Sequence, residues 1–417
     1  MSSTVDVVVI GAGAAGLAAG RALGASSLTS VVLEADARVG GRAHTEIMPD
    51  GAPFDLGCHW MHSASLNPFV DTADALGVRY ERREGYGRSG FFRQGVWVAD
   101  GEVAAAFSAM DERQKRVAAA WSQGLDQSVF DTVDRDGPWT EVLDFYDTLN
   151  SSSDVDQISI GDLVSYNDTE ENWPVVDGYG ALVSQWGAAV PVSLNTAATC
   201  VQWQGPGVVV ETAKGQIKAK CAVIAVSTGV LASGDIRFVP ELPTEKQDAI
   251  WALPLGNYNR IRLEIDRAVF PDDVTERVVV EREGHPPIQI SLGAYGFNCA
   301  IGIVAGRHAD WLERAGTDAS REAVIDALCY VFGNDIRSKV KSDRQSAWRG
   351  NPFVRGAYST AMPGQFHQRA VLAKPLADRL FFCGEATSTD HFCTCHGARM
   401  TGERAIREVQ SILGHPA

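Results

Sequence analysis

The stretch VVVIGAGAAGLAAG, Val7 to Gly20, carries Gly11, Gly13 and Gly16 at GxGxxG spacing. Each glycine serves a dinucleotide differently: the first permits a tight turn, the second lets backbone approach a pyrophosphate, and the third lets a helix lie close on a strand. Glu34 stands about twenty residues later, where an acid takes a ribose hydroxyl and disfavours a 2′-phosphate. The chemistry this predicts is capture of an ADP-containing cofactor. A second candidate is His62 in DLGCHWMHSASLNPF, because histidine titrates near neutrality and can orient a substrate or relay a proton.

These residues need elements to hold them. Val5 to Ile10 is β-branched and apolar enough for a strand buried on both faces. Leu17 to Leu23 favours a helix, whose N-terminus then meets the phosphate charge. Val31 to Leu33 reads as a second strand ending on Glu34. Farther on, the segment from Ser193 to Leu231 gives alternating strands, a Gly-Pro-Gly turn and a buried run, Ala222 to Val226.

The residues just beyond Glu34 separate one ADP cofactor from another. LEADARVGGR, with Arg38, Gly40, Gly41 and Arg42, resembles the flavoprotein amine oxidase family, which includes monoamine and polyamine oxidases. Later segments resemble it in order and spacing over most of the chain: FDLGCHWMHSASLNPF, DGYGALVSQWG, LPLGNYNRIRLEID, RGAYST and RLFFCGEATSTDHFCTCHGARMTGERAI. The resemblance implies an α/β fold in which a discontinuous Rossmann-like FAD-binding domain (1–70, 188–245 and 375–417) carries an inserted α+β substrate-binding domain (71–187 and 246–374).

The resemblance also implies the site residues, position by position. Arg38, Gly41 and Arg42 bring the chain under the FAD pyrophosphate, and Ala198 stands where a valine cups the adenine. Gly57, His59 and Trp60 lie beside the flavin, with His62 on the substrate side. Trp348 packs by the isoalloxazine, and Tyr358 is an aromatic wall of the substrate cavity. Gly384 and Glu385 close the cofactor site, and the backbone at Thr394 and Cys395, opening a helix, stabilises charge at flavin N1 and O2. Ala357 replaces the cysteine of covalently flavinylated members, so FAD is expected to be noncovalent.

Two positions depart from the pattern. Arg260 stands where most family oxidases have a lysine near flavin N5; it keeps the positive charge but cannot deprotonate and presents a planar fork. Thr394 replaces the second aromatic of a monoamine oxidase cage, leaving one identified wall. The activity implied is oxidation of a C–N bond of a polyamine or other amine by hydride transfer to flavin N5, giving an imine that water hydrolyses, with O2 or another electron acceptor. Catalytic roles fall to Arg260, Tyr358 and His62. Two alternatives are an enzyme of the same fold acting on an amino acid or a C–C bond, with Arg355 or Arg399 binding a carboxylate, and a flavin-binding protein without turnover.

Composition agrees with such an enzyme. At 417 residues the chain exceeds one hydrophobic core, so two domains are expected. The net charge of −15 argues against nucleic-acid binding and attracts cationic substrates, amines among them. No run of eighteen apolar residues occurs and the first strand opens soon after Met1, which predicts a cytoplasmic monomer or homodimer without membrane contact. The eight cysteines have neither disulfide nor zinc spacing, so reduced thiols and no metal are expected. Cys393 and Cys395, a CxC pair, suit packing, since a disulfide between them would be strained.

Overall fold

A computed structural model describes residues 3–83, 89–272 and 274–415. The strand Ser3–Ile10 lies at the heart of an eight-stranded sheet, parallel to Ser30–Leu33 on one side and to Gly215–Ile224 on the other. Its Val7, Val8 and Val9 are all inaccessible, as expected of a strand covered on both faces. The antiparallel strands Ala198–Gln202, Val208–Thr212 and Gly215–Ile224 extend the sheet, and Leu380–Phe382 adds in parallel to the last of them. Residues from both ends and the middle of the chain therefore share one sheet.

Helix Ala14–Gly24 packs on this sheet against the C-terminal helix Cys395–Leu413, burying Leu17, Ala18, Ala405, Ile406 and Val409. Burial of each larger aliphatic side chain contributes roughly 1.5–3 kcal/mol. The contact fixes two helix N-termini over one cavity. Helix Tyr179–Gly187 joins the same core through Tyr179, Leu182, Val183 and Trp186. On the opposite face, Ala249 and Ile250 of helix Thr244–Trp251 and Leu372 of helix Gln368–Ala373 share the core with the sheet. All three helices fall wholly or largely in ranges that the resemblance assigns to the substrate domain. Their apolar faces are legible in sequence, but periodicity does not say which sheet a face will meet.

The second sheet has seven strands, in the order Ser342–Gln345, Tyr258–Glu264, Cys299–Ala305, His285–Leu292, Arg277–Arg282, Ser89–Arg93 and Val96–Trp97. It is antiparallel except where Arg277–Arg282 runs alongside Ser89–Arg93. Its outer face packs on helices Gly306–Ala315 and Thr317–Phe332, and its other face looks toward the first sheet. A fully buried ion pair, Arg369 to Asp162 at 2.8 Å, ties the inserted helix Ile160–Val164 to helix Gln368–Ala373.

Candidate active site

One cavity of about 1520 Å³ runs from the first sheet to the second. That exceeds the ~300–1,000 Å³ usual for one small ligand and leaves room for a cofactor and a substrate end to end. Gly11, Gly13, Glu34, Gly41, Arg42, Gly57, His59, Trp60, Ala198, Trp348, Gly384, Glu385, Thr394 and Cys395 all line it, as do His62, Arg260 and Tyr358. Gly16 and Arg38 stand behind the wall. A Cβ on Gly16 would lie 1.8 Å from the Gly11 carbonyl oxygen, so the residue sets how closely helix and strand approach. Arg38 lies against Asp36 at 3.5 Å and donates to the Val39 carbonyl at 3.2 Å.

At the dinucleotide end, no side chain caps helix Ala14–Gly24, whose first residues line the cavity. Its first-turn N–H groups are the anion site that such a terminus offers. Glu34 accepts from the Ala12 amide at 2.7 Å and the Asp36 amide at 2.9 Å, which fixes its carboxylate at the end of the second strand. Burial pushes its pKa up against those bonds. Glu385 lines the cavity and is itself held by several donors. Its oxygens accept from Arg42 (2.9 Å), from Ser359 amide and hydroxyl (3.1 and 2.7 Å) and from the Cys393 amide (3.0 Å). Although burial raises its pKa, Arg42 and Arg369 outweigh it and keep Glu385 ionised. It is a positioning residue that aims Arg42, which also donates to the Ala357 carbonyl.

At the other end the substrate wall begins. Gly57 permits the close approach of three segments, since a Cβ there would lie 1.8 Å from the Arg42 carbonyl oxygen and 3.2 Å from Trp348. Trp348 donates its indole N–H to the Leu56 carbonyl at 3.0 Å. His62 is held by Asn172: Nδ1 lies 2.6 Å from Oδ1. An amide oxygen only accepts, so Nδ1 carries the proton and Nε2 keeps the lone pair. Burial lowers the His62 pKa, so the ring is neutral at pH 7. A neutral, oriented imidazole on the cavity wall can accept a hydrogen bond or a proton from an amine.

The family model described as flavin containing amine oxidoreductase matches residues 143–410, more than half of the chain. The chain belongs to this family. A NAD(P)-binding Rossmann-like domain model matches residues 9–75. Polyamine oxidase 4 of Oryza sativa subsp. japonica is 27% identical over 99% of this chain and 90% of its own length. Polyamine oxidase 2 of Arabidopsis thaliana is 28% identical over 97% and 87%. Among solved structures, wild-type putrescine oxidase bound to putrescine superposes with a TM-score of 0.81 at 18% identity, covering 99% of this chain and 100% of that one. This amine oxidoreductase is accordingly an FAD enzyme, with the cofactor held noncovalently. The uncapped helix, the Glu34 carboxylate and the tightly closed Gly57 loop fit FAD in the dinucleotide half.

Three further features of the amine oxidoreductase site come from the structure. Tyr258 stands beside Tyr358 with ring centroids 5.8 Å apart and planes at 46°. This supplies the second aromatic wall that Thr394 leaves missing in the sequence. Its signal was present: Tyr258 lies two residues before Arg260 on one strand, hence on the same face. Tyr358 donates its hydroxyl to the Leu149 carbonyl, so its ring is fixed. Asn172 was likewise missed, because no spacing in sequence couples it to His62.

Arg260 is buried, donates to the Asp55 carbonyl and sits 5.2 Å from the Phe54 ring centroid. Its Nε has no hydrogen-bond partner among the described residues. Its hydrogen bond goes to a backbone carbonyl, and its guanidinium also acts on the buried Asp55 carboxyl, whose pKa it lowers against the effect of burial. The two arginines suggested for a carboxylate do not reach the cavity. Arg355 pairs with Asp235 at 2.5 Å, and Arg399 bonds Glu403, Pro68 and Thr72. Cys393 donates to the Ser359 carbonyl, while Cys395 meets Cys58, whose pKa that thiol and burial hold well above the ordinary cysteine value. Cys393 and Cys395 thus have separate partners, and all eight cysteines are free.

Proposed function

We propose that this enzyme oxidises a primary or secondary amine that reaches the site as the neutral base, with O2 as electron acceptor. The chemistry that FAD supplies when bound is acceptance of the hydride from the carbon bearing the nitrogen, after which water hydrolyses the imine. The chain's own part is binding and orientation. Tyr258 and Tyr358 flank the substrate, and His62, fixed by Asn172, offers its ring nitrogen as acceptor to the N–H of the neutral amine and so orients it. The observation that carries this reading is the neutral His62 set in the same cavity as the dinucleotide-binding glycines.

The relatives' names include polyamine oxidases, and polyamines fall within this amine class. We also propose that the enzyme works in the cytoplasm as a monomer or homodimer, without nucleic acid or membrane. Eight free cysteines and the strongly acidic charge support that setting. The test is anaerobic mixing of FAD-loaded protein with a panel of amines, followed by air. Bleaching of the flavin absorbance and rapid recolouring are expected; no bleaching by any amine overturns the proposal.

A further inference from the structure

Residues 348–358 meet the cavity at both of its ends. Trp348 and Tyr358 stand at the substrate wall, while Pro352, Phe353 and Val354 between them line the cavity elsewhere. Two bonds tie this middle part to the first sheet. The Ser227 hydroxyl donates to the Val354 carbonyl at 2.7 Å, and the Arg355 guanidinium pairs with Asp235 at 2.5 Å. Both anchors belong to the dinucleotide half. Ser227 follows Val226, whose Cγ1 lies 3.3 Å from where a Cβ on Gly11 would stand. Asp235 precedes the strand Arg237–Val239, which runs parallel to Ala198–Gln202 with Arg237 beside Cys200. Ala198 and Asp235, each two residues before that pair, therefore lie at the same end of the sheet.

The space between these segments has the character of a slot for a flat base. Ala198, Val226, Val230 and Ile236 form its sheet side, Pro352 and Phe353 its outer side, and all six line the cavity. Val230 and Ile236 are buried, but Phe353 is 44% exposed. An aromatic ring this open beside an apolar slot is buried further when a purine lies against it. The same segment carries a backbone outlier: Arg355 has φ 66°, a left-handed conformation uncommon for a residue with a side chain. Such a conformation persists only where its surroundings hold it. Here the hold is the pair with Asp235, 120 residues away in sequence.

We infer that residues 352–355 are a clasp over the adenosine end of FAD, in which Phe353 stacks on the adenine and the ties to Ser227 and Asp235 hold the clasp shut. Ala357 offers no side chain for a covalent flavin link, so retention of the cofactor depends on noncovalent closure of this kind. Release of FAD then requires the clasp to lift. The inference concerns the cofactor and holds whichever amine is oxidised.

The test measures FAD itself. Dilution of holoenzyme, followed by the return of free-flavin fluorescence, gives the release rate, and titration of deflavinated protein gives the Kd. Phe353→Ala is expected to weaken FAD about fivefold to 150-fold, as loss of one base–aromatic stack implies. ADP, which has the adenosine end and no flavin, should weaken as a competitor by a similar factor. Arg355→Met and Asp235→Asn should each speed release by up to about fivefold, as an exposed pair allows, and the double variant should be no faster than either alone. The unaltered protein supplies a separate reading: amide hydrogen exchange at residues 353–355 should slow when FAD is added. Unchanged FAD affinity in Phe353→Ala, loss of FAD affinity without loss of ADP affinity, additive effects of the Arg355 and Asp235 changes, or exchange at 353–355 indifferent to FAD overturns the inference. None of these measurements uses an amine, so such a failure leaves amine oxidation intact.

Discussion

If Asn172 sets the tautomer of His62, replacing it must change catalysis in a way that packing loss does not. The Nδ1 to Oδ1 distance of 2.6 Å marks a strong bond, and Asn172 is buried behind the half-buried His62. Removing a buried partner leaves the donor unsatisfied at about 1–3 kcal/mol, and 1.4 kcal/mol is tenfold, so Asn172→Ala should lower kcat/KM about fivefold to 150-fold. The sign of the pH effect is sharper. Burial lowers the His62 pKa and the bond to Asn172 raises it, so losing that bond moves the pKa further down. The acidic limb of kcat/KM, which reports the base form of His62 in the free enzyme, should shift to lower pH. Asn172→Asp places a carboxylate against the same nitrogen, favours the imidazolium, and should shift that limb to higher pH. The assay is flavin bleaching over a pH series with one fixed amine. Shifts of the same sign in both variants, or activity within twofold of the parent with an unmoved limb, would refute the tautomer argument.

Three other outcomes test separate parts of the structure. Arg260→Lys removes the planar fork lying by Phe54 and the Asp55 carbonyl and substitutes a compact ammonium; recolouring of reduced enzyme in air should quicken, and oxygen stopped flow reads it directly. Arg369→Met strands a buried Asp162 carboxylate and should destabilise by about 3–5 kcal/mol, with the double variant Arg369→Met, Asp162→Leu recovering most of it in denaturant titrations. Burial first, then His391, drives the His396 pKa down to about 3. Because the unfolded chain binds that proton near pH 6.5, the stability associated with neutral His396 is present above that pH and is lost as pH falls toward 3. Acid titration of fluorescence should show a shallower loss of stability over that window in His396→Asn.

The nucleotide end of the molecule was legible because glycines and one acid encode it through backbone geometry. Gly16 admits no Cβ, Glu34 ends a strand, and helix Ala14–Gly24 begins where the pattern changes. Such requirements are local, so spacing in sequence carries them. The helices Tyr179–Gly187 and Gln368–Ala373 show the limit, since an apolar face does not name its partner sheet. Glu385 was legible as a site residue but not in its task, which depends on Arg42 arriving from more than three hundred residues away.

The substrate end obeys a different rule. Its side chains meet through strand register: Tyr258 reaches Tyr358 across two segments, and Arg277 neighbours Ser291 only because a hairpin aligns them. A one-residue slip in that register would turn Gln289 out of the cavity and bring its apolar neighbours in. The same dependence lets this half change while the cofactor half stays fixed. The dinucleotide glycines constrain the backbone itself, whereas an inward position on Tyr258–Glu264 or His285–Leu292 accepts any side chain that the opposing wall tolerates. Arg260 in place of lysine, and Gln289 and Ser291, lie on such positions. The sheet face opposite the dinucleotide is therefore the part of the cavity wall whose side chains the cofactor-binding backbone leaves free to vary.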